Sequence, residues 1–129
     1  MPRTVLIVDD STAMRAFVRA ALEGAEEPIE VLEASSGFDA LRVLPRQELG
    51  LAIVDVNMPH IHGLELIAML RGNQRYQVLP LLVISTESSE RDRERALQLG
   101  ATSFLTKPFT AEALIERVEA LLGPPPRGA

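Results

Sequence analysis

Cysteine and tryptophan are absent from this 129-residue sequence, and aromatic residues of all kinds make up only 4% of it. Without cysteine there is no disulfide framework, no thiolate metal site and no cysteine nucleophile. Histidine is limited to His60 and His62, which are expected in an exposed loop after the third strand. With no other soft ligand, the two histidines are weak evidence for a metal site.

Long hydrophobic runs are also missing. The first apolar run covers residues 5–8 and is too short for a signal peptide or a membrane span. The net charge of −5 comes without a basic stripe, which argues against nucleic-acid binding. The arginines of residues 91–95 alternate with acids and are interpreted as a solvated helix face. A soluble cytoplasmic protein that binds neither nucleic acid nor membrane is expected.

Hydrophobic residues make up 47% of the chain, and their spacing alternates between two periods. Short apolar runs typical of strands lie at residues 5–8, 29–34, 51–54, 81–84 and 103–106. Helical spacing follows each run, at Met14, Phe17, Val18, Ala21 and Leu22; at Phe38, Leu41 and Leu44, ending at Pro45; at Leu64, Ile67 and Ala68; over the polar residues 89–99, ended by Gly100; and at Leu114, Ile115, Val118, Leu121 and Leu122. The stripe that begins with Met14 and Phe17 is interpreted as core and not as a cofactor site.

This alternation predicts an α/β fold, a (βα)5 doubly wound parallel sheet, because strands joined by helical crossovers run parallel. The first, third and fourth strands are continuous Val, Ile and Leu runs, which is typical of central strands buried on both faces. Glu30 and Glu33 interrupt the second strand, which suits an edge. Strand order 2-1-3-4-5, the flavodoxin-like order, satisfies both conditions.

Polar residues follow the predicted strands at the edge where such folds place their sites. The strand order reverses between the first and third strands, so Asp9, Asp10 and Asp55 are expected to converge there. Ser85 ends the fourth strand and Lys107 the fifth. An ordinary helix-capping role is the better interpretation for Ser11, but a cap needs one carboxylate and not three.

Three neighbouring carboxylates repel one another, and a divalent cation would relieve the repulsion. Ligands that are all oxygen favour Mg²⁺, Mn²⁺ or Ca²⁺ over zinc, and Mg²⁺ keeps waters and phosphate oxygens in its shell. A carboxylate at such a site can act as a nucleophile and form an acyl phosphate. Metal, lysine and hydroxyl would share the charge of the transferring group.

These segments resemble the receiver-domain family of two-component signalling, particularly its stand-alone, CheY-like members. The resemblance lies in the motifs Leu-Ile-Val-Asp-Asp-Ser at residues 6–11, Val-Asp-Val-Asn-Met-Pro at 54–59 with Gly63, Val-Ile-Ser-Thr at 83–86, Gly-Ala at 100–101, and Phe-Leu-Thr-Lys-Pro-Phe at 104–109. The resemblance implies a receiver domain over residues 1–123, followed by a flexible proline-rich tail over residues 124–129.

The resemblance also implies a role for each matching residue. Asp55 is expected to accept a phosphoryl group, and Mg²⁺ is the implied cofactor. Metal binding is assigned to Asp9 through water, Asp10 directly, Asp55, and the backbone carbonyl of Asn57. Ser85 and Lys107 match the hydroxyl and the cation that contact the phosphoryl group. Ser85 and Phe104 match the two residues that act as the conformational switch in the family. The bond that matches Lys107–Pro108 is often cis. Asn57 and Glu87 occupy positions that tune dephosphorylation.

The implied function is a phosphorylation-activated signalling switch with autodephosphorylation, not an enzyme that turns over a free metabolite. Its partners would be a sensor histidine kinase or phosphotransfer protein, and a downstream protein that binds the face formed by the fourth helix, fifth strand and fifth helix. A small Mg²⁺-dependent phosphatase with Asp55 as nucleophile is an alternative, although Asn57 replaces the second acid of the usual Asp-x-Asp. A flavin or nucleotide carrier is a further alternative, disfavoured because Asp9 and Asp10 would repel a phosphate.

Overall fold

The computed structural model of the protein describes residues 3–58, 63–86 and 90–123. Within these ranges, parallel β-strands and α-helices alternate along the chain. The strands are β1 (Thr4–Val8), β2 (Glu30–Ala34), β3 (Leu51–Asp55), β4 (Leu81–Thr86) and β5 (Ser103–Lys107). The helices are α1 (Thr12–Leu22), α2 (Gly37–Val43), α3 (Gly63–Arg71), α4 (Glu90–Leu99) and α5 (Ala111–Leu122). Short 3-10 turns at Leu44–Arg46 and Gln74–Tyr76 precede β3 and β4.

The sheet has the order β2-β1-β3-β4-β5, with every neighbouring pair parallel. The predicted (βα)5 doubly wound fold and its strand order are therefore confirmed. Each predicted strand is found, and the main difference is that β3, β4 and β5 run one or two residues further. As a result Asp55, Ser85 and Lys107 belong to the strands themselves and not to the loops after them.

The sheet carries an apolar layer on each face. One layer joins β1, β3 and β4 to α2, α3 and α4, and the other joins the same strands to α1 and α5. Every residue of β3 is buried, as are Leu6 and Ile7 of β1 and Leu82 and Ile84 of β4. Each large aliphatic side chain buried in this way stabilises the fold by about 1.5–3 kcal/mol, so the central strands form a rigid frame.

Strand β2 is an edge strand, as its two glutamates predict. Glu33 lies on the face of the sheet that α1 covers and accepts hydrogen bonds from Arg15 and Arg19 of that helix, at 3.0 Å each. Those hydrogen bonds and the positive charges lower the pKa of Glu33. Because the group is solvated, this ion pair contributes little to stability and serves mainly to cover the edge.

The helix ends follow their sequence signals. The Ser11 hydroxyl accepts a hydrogen bond from the Met14 N–H at 3.1 Å, which confirms Ser11 as the N-terminal cap of α1. Gly100 follows α4 with a φ of 119°, and the Ala101 N–H bonds back to the Ala96 carbonyl, as at a glycine-terminated helix. The predicted fourth-helix start at residue 89 lies outside the described residues, and α4 is described from Glu90.

The interpretation of the α1 stripe as core is wrong for Phe17, which is 40% exposed. Met14 is half-buried and packs against the apolar layer, and the remaining stripe residues are buried: Val18, Ala21 and Leu22. The Phe17 ring packs edge-on against Phe109, with the ring centroids 5.8 Å apart. The first turns of α1 lie beside the segment between β5 and α5, and the two rings line a hollow of about 210 Å³ with Lys107.

Several predictions fall on residues that the structure does not describe. His60 and His62, the dephosphorylation position Glu87, and the tail over residues 124–129 all lie outside the described residues. Among the helices that are described, none combines the length and the apolar character needed to cross a membrane.

Gly63, the first residue of α3, lies directly against the backbone at the end of the strand that carries Asp55. A Cβ atom at Gly63 would overlap the Asp55 carbonyl oxygen and lie 2.7 Å from the Val56 Cα. Both obstacles are backbone atoms, which cannot move aside as a flexible side chain can. The first residue of α3 must therefore be glycine for the helix to pack against the end of β3.

Replacing Gly63 with alanine should lower the free energy of unfolding by about 1–3 kcal/mol, because the added methyl group overpacks a backbone contact. Urea denaturation measures this loss. Gly72→Ala is the matched control, since a Cβ there meets nothing closer than 3.4 Å. The control should change stability by only about 0.5 kcal/mol or less. Equal stabilities of the two variants would contradict the close approach.

Candidate functional site

Three carboxylates meet at the carboxyl edge of the sheet, at the predicted reversal of strand order. Asp9 and Asp10 directly follow β1, and Asp55 is the last residue of β3. One oxygen from each lies within 4.8 Å of the others. Asp9 is fully buried and Asp55 is 3% exposed, whereas Asp10 is exposed. The cluster is thus an acidic pocket with a buried floor and one carboxylate at its mouth.

Asp9 is held in place but only half satisfied. Its Oδ1 accepts a hydrogen bond from the Ser11 N–H at 2.9 Å, and its backbone N–H donates to the Ala34 carbonyl. Its Oδ2 is buried and has no hydrogen-bond partner among the described residues. Burial, reinforced by the nearby Asp55 charge, raises the pKa of Asp9 from 3.8 to about 6. The pocket therefore contains a buried carboxylate oxygen without a hydrogen-bond donor among the described residues.

Asp55 faces two donors. Its Oδ1 accepts a hydrogen bond from the Asn57 N–H at 2.9 Å, and its Oδ2 lies 3.7 Å from the Lys107 Nζ. The Asn57 residue itself is exposed. Lys107 ends β5 two strands away and reaches across the edge of the sheet, and the Lys107–Pro108 peptide bond is cis. Topology alone brings Lys107 and Asp55 together, because 51 residues separate them in the chain.

Ser85 and Phe104 lie on the same face of the sheet, and Ser85 directly follows Ile84, the register partner of Asp55. Ser85 of β4 is fully buried, and no described residue hydrogen-bonds to its hydroxyl. Its neighbour in register on β5 is Thr106, while Phe104 pairs with Val83 one step further back. Phe104 is half-buried against the apolar layer that contains α4. Phe104 thus lies two residues before the register partner of Ser85, on the same face of β5.

A sequence model of the response regulator receiver domain matches residues 5–119. The chain belongs to this family. The receiver is 35% identical over 120 residues to the chemotaxis protein CheY homologue of Campylobacter jejuni, which covers 92% of each chain. The crystal structure of the chemotaxis response regulator CheY4 of Vibrio cholerae superposes with a TM-score of 0.84 at 33% identity, over 94% of this chain and 99% of that one. The transcriptional regulatory protein GltR of Pseudomonas aeruginosa is 36% identical over 93% of this chain, but the match covers only 49% of GltR.

These matches confirm the resemblance drawn from the motifs, and with it the CheY-like fold. Receivers of this family are signalling proteins and not enzymes that turn over a free substrate. They act with histidine kinases and with downstream targets. Two-component signalling is therefore the process in which this chain takes part.

The donor set of the acidic pocket fits Mg²⁺, the ion that receiver domains bind at such a site. The clustered side chains offer only carboxylate oxygens, which are hard ligands, and one of these oxygens is buried without a hydrogen-bond donor. Three carboxylates exceed what a Mg²⁺ ion usually takes directly, which leaves room for one of them to bind through water. A cation here would compensate charge that the described protein groups leave unpaired.

Two arginines near the site were not identified from the sequence. Arg15 of α1 donates a hydrogen bond to the Asp9 carbonyl at 2.6 Å, and so helps to hold the end of β1. Arg93 of α4 was interpreted as part of a solvated face, but it is half-buried, with its guanidinium over the Phe104 ring. No local pattern distinguishes Arg93 from Arg91 and Arg95, which are exposed.

In the presence of EDTA, Asp9 should make the folded receiver less stable as the pH rises from about 4 to 6. The folded pKa lies above the unfolded one, so the stabilisation by the bound proton is complete below pH 3.8 and is lost as pH rises through about 6. The loss should be on the order of 3 kcal/mol. Asp9→Asn should lack this loss. Chemical denaturation of both proteins between pH 3.5 and 7.5, roughly the window that linkage sets, should therefore give a difference in the free energy of unfolding that changes with pH.

The control for this titration is Glu94→Gln, which removes one exposed acid from α4. The difference between its free energy of unfolding and that of wild type should be nearly constant over the same pH range. A flat difference for Asp9→Asn would mean that the buried carboxylate does not titrate as its environment predicts.

Proposed function

We propose that this receiver is a phosphorylation-activated switch that accepts a phosphoryl group on Asp55 with the help of Mg²⁺. The observation that carries the proposal is the convergence of charges on one point. Asp55 has a cation, Lys107, on one side, the acids Asp9 and Asp10 on another, and the unpartnered Ser85 hydroxyl on the adjacent strand. Of these groups, only Asp55 ends a central strand and lies at the floor of the pocket.

The transfer proposed is nucleophilic attack by an Asp55 carboxylate oxygen on the phosphorus of a phosphohistidine. The new O–P bond forms as the P–N bond breaks, and the imidazole of the donor leaves with the electron pair. The product is an acyl phosphate, whose three peripheral oxygens carry the negative charge. Lys107 and the Ser85 hydroxyl are the donors available to those oxygens.

Bound Mg²⁺ would neutralise part of the charge that develops on the phosphoryl oxygens. Asp10 is proposed as the direct side-chain ligand because it is exposed at the mouth of the pocket. Asp9, whose Oδ1 already accepts a backbone hydrogen bond, would act through a metal-bound water. Asp55 and the backbone carbonyl of Asn57 complete the proposed set. Hydrolysis of the acyl phosphate by water would return the receiver to rest.

The proposed partners are a sensor histidine kinase or a phosphotransfer protein as donor, and a downstream protein as reader. The reader is proposed to bind the face formed by α4, β5 and α5. A phosphoryl group on Asp55 would draw the Ser85 hydroxyl toward it, since that hydroxyl has no competing partner among the described residues. Phe104, on the same face of the sheet, could then turn toward the space beside β4. Only Ala96 of α4 is fully buried, so this helix can shift at low cost.

Incubation with acetyl phosphate and Mg²⁺ should add one phosphoryl group to the protein, and hydroxylamine should remove it, because an acyl phosphate reacts with that nucleophile. Intact-mass spectrometry measures both changes. Asp55→Asn should take no label, whereas the control Asp92→Asn, an acid on α4, should take it as wild type does.

Two outcomes would contradict the acceptor assignment. One is label that survives hydroxylamine, and the other is label that persists in Asp55→Asn. Steady turnover of a free phosphate monoester would instead support the alternative of a small phosphatase that uses Asp55 as nucleophile.

Mg²⁺ should raise the melting temperature, because it binds the folded pocket and not the unfolded chain. At about 100-fold excess over the dissociation constant, the expected gain is roughly 2.7 kcal/mol. Asp10→Ala should lose most of this gain, while Glu94→Ala, which removes an exposed acid that is not part of the acidic cluster, should keep it. Differential scanning calorimetry measures the shift. An Asp10→Ala variant that responds to Mg²⁺ like wild type would rule out the ligand assignment.

A further inference from the structure

The Phe104 ring is covered by an arginine from the neighbouring helix. The guanidinium carbon of Arg93 lies 4.8 Å from the ring centroid, within the range of a cation–π contact. The Arg93 Nη1 also donates a hydrogen bond to the Thr106 hydroxyl at 3.3 Å. Within residues 3–58, 63–86 and 90–123, no carboxylate forms an ion pair with Arg93. Its contacts with β5 are therefore the ones that orient this side chain.

The two β5 residues that Arg93 contacts are neighbours on one face of the strand. Phe104 and Thr106 are two positions apart, so their side chains point the same way. In register on β4 they lie beside Val83 and Ser85, and Ser85 carries the buried hydroxyl one residue beyond the register partner of Asp55. A single guanidinium thus connects the aromatic ring to the threonine directly beside the candidate phosphoryl contact.

Helix α5 contacts strand β5 from the opposite side to α4. Arg117 of α5 donates hydrogen bonds to the Ser103 hydroxyl, at 2.7 Å, and to the Phe104 carbonyl. These contacts fix the backbone of the strand and do not involve the ring. The C-terminal end of α4 is also tied, because Arg71 of α3 donates to the Gly100 carbonyl at 2.9 Å. On the α4 side, the Phe104 ring packs against the apolar layer and is covered by Arg93, which also ties the N-terminal half of α4 to β5.

We propose that Arg93 is a positioning residue that holds Phe104 in its resting orientation and so opposes activation. This inference rests on the proposed function, in which Asp55 is the acceptor and Phe104 turns on activation. If the Arg93 contact exists only at rest, it must break whenever a phosphoryl group binds productively. The free energy needed to break this contact then makes the binding of the phosphoryl group less favourable by the same amount.

A positioning role for Arg93 and a simple charge effect change the affinity of the site for an anion in opposite directions. Removing a positive charge near the pocket should weaken the binding of an anion if charge alone matters. Removing a contact that stabilises the resting conformation should tighten the same binding, because a larger fraction of the protein is then already in the activated conformation. The direction of the change in Arg93→Ala therefore separates a positioning role from a general charge effect.

The test uses the full chain with Mg²⁺ and beryllofluoride, which forms a complex on an aspartate that stands in for its phosphorylated form. Calorimetric titration should show Arg93→Ala binding beryllofluoride about three- to tenfold more tightly than wild type, the range that one cation–π contact can supply. In NMR spectra recorded without beryllofluoride, the Phe104 ring signals of this variant should move toward their activated positions. Arg93→Lys keeps the charge but cannot contact the ring and Thr106 together. Its affinity for beryllofluoride and its Phe104 ring signals should lie between those of wild type and Arg93→Ala.

Arg95→Ala is the matched control, because Arg95 is exposed on the same helix and carries the same charge. It should leave both the affinity and the Phe104 signals as in wild type. Unchanged or weaker binding by Arg93→Ala would overturn the inference, as would equal tightening in Arg95→Ala. If wild type fails to bind beryllofluoride, or if Asp55→Asn binds it equally well, the proposed function itself is wrong, so the two failures are distinguishable.

Discussion

Repulsion among the carboxylates of Asp9, Asp10 and Asp55 is the constraint around which the rest of this receiver is arranged. Two of the three acids are buried, and the first carries an oxygen without a donor among the described residues. Burying an unpaired carboxylate costs several kcal/mol, which is comparable to a large part of a small domain's net stability. The apolar layers on both faces of the sheet offset this cost. The pocket can remain unfavourable for the empty protein, and for that reason favourable for a cation.

The same constraint explains why the backbone around the pocket is held so closely. Gly63 lets α3 pack onto the backbone at the end of β3, and the Asn57 N–H bonds to the Asp55 carboxylate. Arg15 bonds to the carbonyl of Asp9, and Ser11 caps the helix that follows. Like charges that could move apart would do so. These contacts prevent that movement, so burial, reinforced by the nearby Asp55 and Asp10 charges, raises the pKa of Asp9 instead of opening the site.

The fold and the main site residues follow from the sequence because both depend on periodic, local signals. Continuous apolar runs identify central strands, and the residues that end those strands must share one edge of a parallel sheet. Phe17 and Arg93 could not be placed in this way. The environment of Phe17 depends on how far α1 extends beyond the sheet, and that of Arg93 on which of several equivalent arginines faces β5. Such contacts are set by distances between elements, which the hydrophobic period does not encode.

The side chains of Ser85, Thr106 and Phe104 lie on one face of two adjacent strands, and Arg93 of α4 contacts Thr106 and Phe104 from that side. That placement matters because a rigid sheet transmits little movement through its backbone, whereas side chains on one face can exchange partners. A tenfold change in the affinity for a reader protein needs only about 1.4 kcal/mol. One hydrogen bond and one cation–π contact are together of that size. In the proposed switch, a signal would therefore leave the acidic pocket through a few side-chain contacts while both apolar layers stay intact.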